Sequence, residues 1–175
     1  MSKTTKLPAH PDWSVATKHL SAADPVMAAI IQRVGPCTLA PRTDHFANLA
    51  RAIYAQQISA AVAHTLYSHF AALFPKKLPT AKRTLAMTDT QLRTTGLSKQ
   101  KLAYIKDLAK HFATGPLATH DFHALSDEQV IEALTAVHGI GRWTAEMFLI
   151  FSLNRPDIFP VDDFGIKNMI RQNYG

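Results

Sequence analysis

The chain has 175 residues and a mass of 19.3 kDa, the size of one domain with a single core. Hydrophobic residues at 47% against charged residues at 18% exclude a disordered chain. The one cysteine, Cys37, excludes an internal disulfide framework, a four-cysteine iron–sulfur cluster and a Cys-rich zinc site. A net charge of +6 and a pI near 9.6 are compatible with a polyanionic partner. The polar start, Met1 to Trp13, has no apolar core of a signal peptide, and the most apolar run, Met147 to Phe151, is far too short to span a bilayer. The expectation is an intracellular protein without a membrane segment.

Helical periodicity runs through the chain. Asp24-Pro25 forms an N-cap with proline at the first helical position, and Gly35-Pro36 ends that helix. Thr43-Asp44 opens a second helix whose Phe46, Leu49, Ala50 and Ile53 make an i, i+3, i+4, i+7 stripe. A third runs from about Ser59 through Leu66, Phe70 and Leu73 to Pro75, and two short ones lie near Thr80–Met87 and Thr88–Thr95. Gly96 breaks the pattern, and Ser98 starts a helix reaching about Phe112, on which Lys99, Lys106 and Lys110 share one face. That stripe is either a solvated face or a phosphate contact. Thr114–Leu125 is predicted as a loop. Ser126 and Gln129 make a capping box for the next helix, which stops at Gly139.

A helix after Gly141, interrupted by the charge of Glu146, is apolar on nearly every side and is expected at the buried centre. A last helix begins near Asp162–Asp163. No strand pattern of useful length appears. The prediction is all-α: a compact bundle of about ten short helices.

Val137-His138-Gly139-Ile140-Gly141-Arg142-Trp143 joins two of these helices through a Gly-x-Gly turn. Glycines let backbone turn sharply and approach a ligand with no Cβ in the way. The amides that follow sit at a helix N-terminus, where partial positive charge favours a phosphate. This is the form of a helix-hairpin-helix, a sequence-independent clamp for a DNA backbone, although a plain helix–helix turn can look the same. Asp163 lies 22 residues after Gly141, behind Phe159-Pro160-Val161 and before Phe164-Gly165-Ile166-Lys167.

A hairpin, one helix, a loop and then an Asp at a helix start resembles the helix-hairpin-helix DNA glycosylase superfamily. Ala52-Ile53-Tyr54-Ala55-Gln56-Gln57-Ile58-Ser59 resembles its Gln-Gln-x-Ser segment, and Gly96-Leu97-Ser98 with Lys101 its Gly-x-Ser-x-x-Lys loop. In the bifunctional branches a nucleophilic lysine stands two residues after the second hairpin glycine. Here that residue is Trp143, similar to the alkylpurine branch, the DNA-3-methyladenine glycosylase II type. The missing cysteines also exclude the iron–sulfur branches.

The resemblance implies a monofunctional base-excision repair enzyme. It would flip an alkylated purine (3-methyladenine, 7-methylguanine or ethenoadenine class) from duplex DNA, cleave the N-glycosidic bond with water and leave an abasic site. Asp163 would be the catalytic carboxylate, with Asp162 an adjacent cap or solvated charge. Trp143, Met147 and Phe164 would form the base pocket, each also explicable as apolar packing. Gln56 or Gln57 would fill the gap left by the flipped nucleotide, with Gln57 favoured. Ser98, Lys99, His138, Gly139, Gly141 and Thr144 would touch DNA. Main-chain carbonyls of Thr135, Val137 and Ile140 would hold Na+ or K+ at the hairpin, and no cofactor would take part in catalysis. The nine histidines, His120 and His123 included, show no metal-ligand set.

The expected protein is a monomer, cytoplasmic with the chromosomal DNA, its 175 residues one glycosylase domain. The family core runs a helix or two beyond the catalytic one, whereas this sequence stops 12 residues after Asp163. Either it is a fragment or its end is closed differently. The rival readings are a catalytically silent DNA-binding hairpin module and a helical protein-interaction domain.

Overall fold

The computed structural model describes residues 11–175; the start of the chain, Met1 to His10, lies outside the described residues. Among the described residues ten α-helices follow one another: α1 (Trp13–Ala23), α2 (Pro25–Val34), α3 (His45–Ala55), α4 (Ala60–Ala72), α5 (Ala81–Ala86), α6 (Asp89–Arg93), α7 (Lys99–Ala113), α8 (Asp127–Thr135), α9 (Arg142–Phe151) and α10 (Phe164–Tyr174). There is no strand among the described residues.

Side chains at the starts explain most boundaries, because the first amides of a helix have no partner inside it. Asp12 accepts from the Ser14 amide and opens α1, a helix that the sequence reading left out. Asp24 accepts from the amides of Val26 and Met27, with Pro25 behind it. Ser59 caps α4 and Ser98 caps α7. Thr88 with Gln91 and Ser126 with Gln129 form two capping boxes. Asp44 precedes α3 without capping it; its carboxylate accepts from Asn48 instead. The segment expected as loop, 114–125, contains one 3-10 turn, Pro116–Ala118.

The core lies where α3, α4, α7, α8 and α9 meet. Leu49, Ile53, Tyr54, Phe70, Leu92, Ile105, Leu108, Leu134 and Leu149 are all but sealed from water. Tyr54 is the largest of them; its hydroxyl bonds the Thr95 hydroxyl at 2.8 Å, which supplies the partner a buried phenol needs. The helices α1, α2 and α10 contribute no buried residue. The first two pack on each other, and α1 is tied to the following chain by the Trp13 indole N–H on the Leu39 carbonyl, 3.1 Å.

One expectation is corrected. α9 is not buried on nearly every side: Thr144, Ala145, Glu146, Phe148 and Leu149 are buried, but Trp143 and Phe151 stand about half exposed. Its apolar outer face is the wall of a groove. Buried Glu146 is paired with Arg142 one turn earlier, at 3.1 Å.

Candidate active site

The hairpin is the turn between α8 and α9. Gly139 has φ +87°, in the left-handed region that glycine alone enters cheaply. A Cβ there would also run into the Tyr104 ring of α7. Gly141 is different: its φ is −94° and nothing lies within 4 Å of where its Cβ would be. The close approach at Gly139 is therefore to Tyr104 inside the molecule, whereas Gly141 is exposed with open space around it. The amides of Arg142, Trp143 and Thr144 begin α9, and the first intrahelical bond is Ala145 N–H to the Gly141 carbonyl, 3.1 Å. Three donors at the positive end of a helix are thus left for an anion.

Other elements hold the turn in shape. The Asp107 carboxylate on α7 accepts the His138 amide at 2.8 Å, and the Gln56 amide group donates to the Gly139 carbonyl at 2.7 Å. Arg142 is clasped by both carboxylate oxygens of Glu128, at 2.8 and 3.1 Å, which locks the start of α9 onto α8. The sequence reading missed Asp107, Glu128 and Arg142. The i, i+4 spacing of Arg142 and Glu146 was the one local signal available; the others join residues far apart in the chain.

Between α3 and α9 runs a groove of about 430 Å³. Ala52 and Ala55 form one wall and Trp143, Thr144 and Met147 the other, with Gln56 and Gln57 at the rim. A second hollow of about 210 Å³ shares Ala52, Ala55, Thr144 and Met147 with it and continues toward Phe151 and Arg42. Alanines on α3 leave the space that larger residues would fill.

Asp163 stands at the Trp143 edge of the groove. Its Oδ1 accepts the Ile166 amide at 2.9 Å, the N-cap of α10, and its Oδ2 accepts the Trp143 indole N–H at 2.7 Å. The Ile166 amide first and the indole second hold the carboxyl below the usual carboxylate range. Asp162 is exposed and bound to Lys167 at 2.9 Å.

The remaining expected residues divide. Gln57 is exposed, at φ +56°, while Gln56 is turned inward to Gly139. Ser98 caps α7 beside exposed Lys99. The His138 side chain is exposed. Three placements are corrected. Phe164 does not line the groove: it is 79% exposed, because the N-terminal turn of α10 points it to solvent. The Thr144 side chain is buried against the core, so any DNA contact there falls to its amide. Lys106 leaves the lysine stripe to pair with Asp89, so only Lys99 and Lys110 remain as exposed charges. Among the described residues no group of three or more His, Cys, Asp or Glu is arranged to hold a metal ion, and no helix is long and apolar enough to cross a membrane.

A tight turn between two helices, beside an apolar groove with an ionised carboxylate at its lip, defines a helix-hairpin-helix protein. The model of the HhH-GPD superfamily base excision DNA repair proteins matches residues 50–175. The chain is 32% identical over 169 residues to the alkylbase DNA glycosidase-like protein mag2 of Schizosaccharomyces pombe, covering 94% of this chain and 79% of that protein. It is 34% identical over 158 residues to DNA-3-methyladenine glycosylase 1 of the same yeast, covering 87% and 69%. The solved structure of the S. pombe 3-methyladenine DNA glycosylase in complex with abasic DNA superposes with a TM-score of 0.77 at 34% identity, over 88% of this chain and 77% of that one. A DNA-3-methyladenine glycosidase from Bacillus halodurans gives 0.77 at 32%, over 90% and 73%. The chain belongs to the HhH-GPD superfamily of base excision DNA repair proteins.

Proposed function

We propose that this chain is a monofunctional DNA glycosylase that hydrolyses alkylated purines of the 3-methyladenine, 7-methylguanine and ethenoadenine class from duplex DNA and leaves an abasic site. The observation that carries the reading is the Asp163 carboxylate held by the Trp143 indole at the lip of the groove. The names of its relatives, glycosylases of 3-methyladenine and alkylated bases, support the substrate class.

The amides of Arg142, Trp143 and Thr144, with Gly141 and His138, grip a phosphate without reading sequence. Ser98 and Lys99 offer a second backbone contact at the start of α7. Gln57 enters the gap in the stack as the nucleotide swings out. The extruded base lies in the groove against Met147 and stacks on the exposed Trp143 ring. A cationic base gains about 0.5–2 kcal/mol there from the cation–π interaction. An N-alkylated purine carries positive charge and leaves readily. The protein's chemical task is to stabilise the oxocarbenium-like sugar that develops, and a fixed, ionised Asp163 does so and orients the attacking water.

The main-chain carbonyls of Thr135, Val137 and Ile140, from the end of α8 and the turn after it, would hold Na+ or K+, since neutral oxygens near the negative end of a helix dipole suit a monovalent cation. The Val137 carbonyl accepts the Ile140 amide at 3.1 Å and keeps a second lone pair. Such an ion would be structural, neutralising the helix end at the hairpin, and catalysis would need no cofactor. The reading extends to a monomer, one domain over the whole chain, working inside the cell on chromosomal DNA.

The test is release of free bases from methylated duplex DNA by the wild-type chain and by Asp163→Asn. The wild type releases alkylated purines and Asp163→Asn falls by orders of magnitude while its affinity for DNA holds or rises. A wild type that binds DNA and releases nothing is a silent binding module. Activity retained by Asp163→Asn and lost by Asp162→Asn moves the catalytic carboxylate by one residue.

A further inference from the structure

We infer that Lys101 is a positioning residue: its ammonium fixes the Gln56-Gln57 turn and thereby aims Gln57 into the DNA, an assignment that rests on the glycosylase reading above. α3 ends at Ala55, and the last carbonyls of a helix have no partner within it. Lys101, in the first turn of α7, crosses to them. Its Nζ donates to the Tyr54 carbonyl at 2.8 Å and to the Gln56 carbonyl at 2.7 Å. One ammonium thus bridges the last turn of the helix and the first residue beyond it.

The arrangement is costly for a lysine. Burial lowers the ammonium's pKa, and among the described residues no carboxylate pairs with it, so the two carbonyls and the negative end of α3 are what compensate it. A helix end that needed only termination would be served by glycine or by water. What the ammonium adds is the direction of the next residue. Gln57 takes φ +56°, a left-handed conformation that strains a non-glycine residue, and its side chain is exposed at the rim of the groove. On its other side the same turn is fastened by Gln56 to the Gly139 carbonyl. Lys101, Gln56 and the hairpin therefore form one chain of bonds, and the exposed glutamine sits at its end.

The experiment compares affinity for two duplexes of one sequence, one undamaged and one carrying a tetrahydrofuran abasic analogue. Lys101→Met keeps the stem and removes the donors. It is expected to keep binding to undamaged duplex within about twofold, since the hairpin amides are untouched, and to lose about tenfold of the preference for the abasic analogue, the worth of charge-assisted hydrogen bonds. Lys101→Arg, which retains a cation and several donors, restores most of it. Gln57→Ala loses the same preference, and the double variant loses no more than either alone, because both act through one side chain. Should Lys101→Met fail to fold, Lys101→Gln, with a single neutral donor, is read by the same criteria. The inference is overturned by a retained preference, by losses that add to those of Gln57→Ala, or by equal loss on both duplexes. A wild type that neither prefers the analogue nor releases bases overturns the glycosylase reading, and this inference with it.

Discussion

The indole N–H of Trp143 donates to Oδ2 of Asp163 at 2.7 Å, joining residues twenty positions apart. The ring proposed to stack on an extruded base thereby also fixes the carboxylate proposed to face its sugar. The two roles are separable. Trp143→Phe keeps an aromatic face and loses the donor, so excision is expected to fall roughly tenfold, with little change in affinity for undamaged duplex.

The same pair sets the pH dependence. Asp163 is held below the usual carboxylate range, by the Ile166 amide first and the indole second, so its protonated form gathers only at pH below that range. Single-turnover excision should then show no acid limb between pH 7 and pH 5 in the wild type. In Trp143→Phe one of the lowering bonds is gone and the limb moves upward, toward the usual carboxylate value. An acid limb near pH 6 in the wild type would mean that another group, such as an exposed histidine, controls the rate.

The two hairpin glycines should fail differently. Gly139→Ala meets both the left-handed backbone and the Tyr104 ring, and is expected to lower stability by about 2 kcal/mol or more, visible as a drop in Tm. Adding Tyr104→Ala removes the clash but not the strain, so the two losses are not additive. Gly141→Asp occupies open space at an ordinary φ, and stability should stay within about 0.5 kcal/mol of wild type. Its carboxylate would face the proposed phosphate position, so affinity for every duplex, damaged or not, is expected to fall alike. Weakening confined to damaged DNA would speak against a backbone clamp.

The product should be an uncut strand. Cleavage by a glycosylase requires a Schiff base, and hence an amine against the anomeric carbon. Trp143 has no nucleophilic atom, and the nearby lysines are occupied: Lys101 by the end of α3 and Lys167 by Asp162. Borohydride should trap no covalent adduct, and the strand should break only after alkali. A nick without alkali would demand an unassigned lysine.

Much of this was legible in the sequence because it is local. The caps at Asp24, Ser98, Ser126 and Asp163 and the stripe from Phe46 to Ile53 each depend on residues within two turns, and the structure places helices there. Asp163 was singled out from its spacing to the hairpin, and it sits at the groove beside Trp143. What stayed illegible is long-range. Nothing near Gln56 announces that it turns inward to Gly139, 83 residues away, leaving Gln57 outside. The apolar composition of α9 reads as a buried helix, because the wall of an apolar groove and the wall of a core have the same chemistry. Phe164 was misplaced because spacing from a capping residue fixes a helix start and not the direction of its first side chain.

Asp24 caps α2 with one oxygen and with the other accepts the Tyr174 hydroxyl at 2.7 Å, across 150 positions of sequence. α10 is therefore a strut about 16 Å long, pinned at one end by Asp163 on Trp143 and at the other by Tyr174 on Asp24, with no buried side chain between the pins. Mechanically this is a lever whose pivot is the Asp163 carboxylate, held on both oxygens by Ile166 and Trp143. Release of the far pin, as in Tyr174→Phe, is expected to loosen the tip of α10 first. Wear at the edge of the molecule, by substitution or thermal fraying, would then reach the carboxylate proposed for the chemistry last.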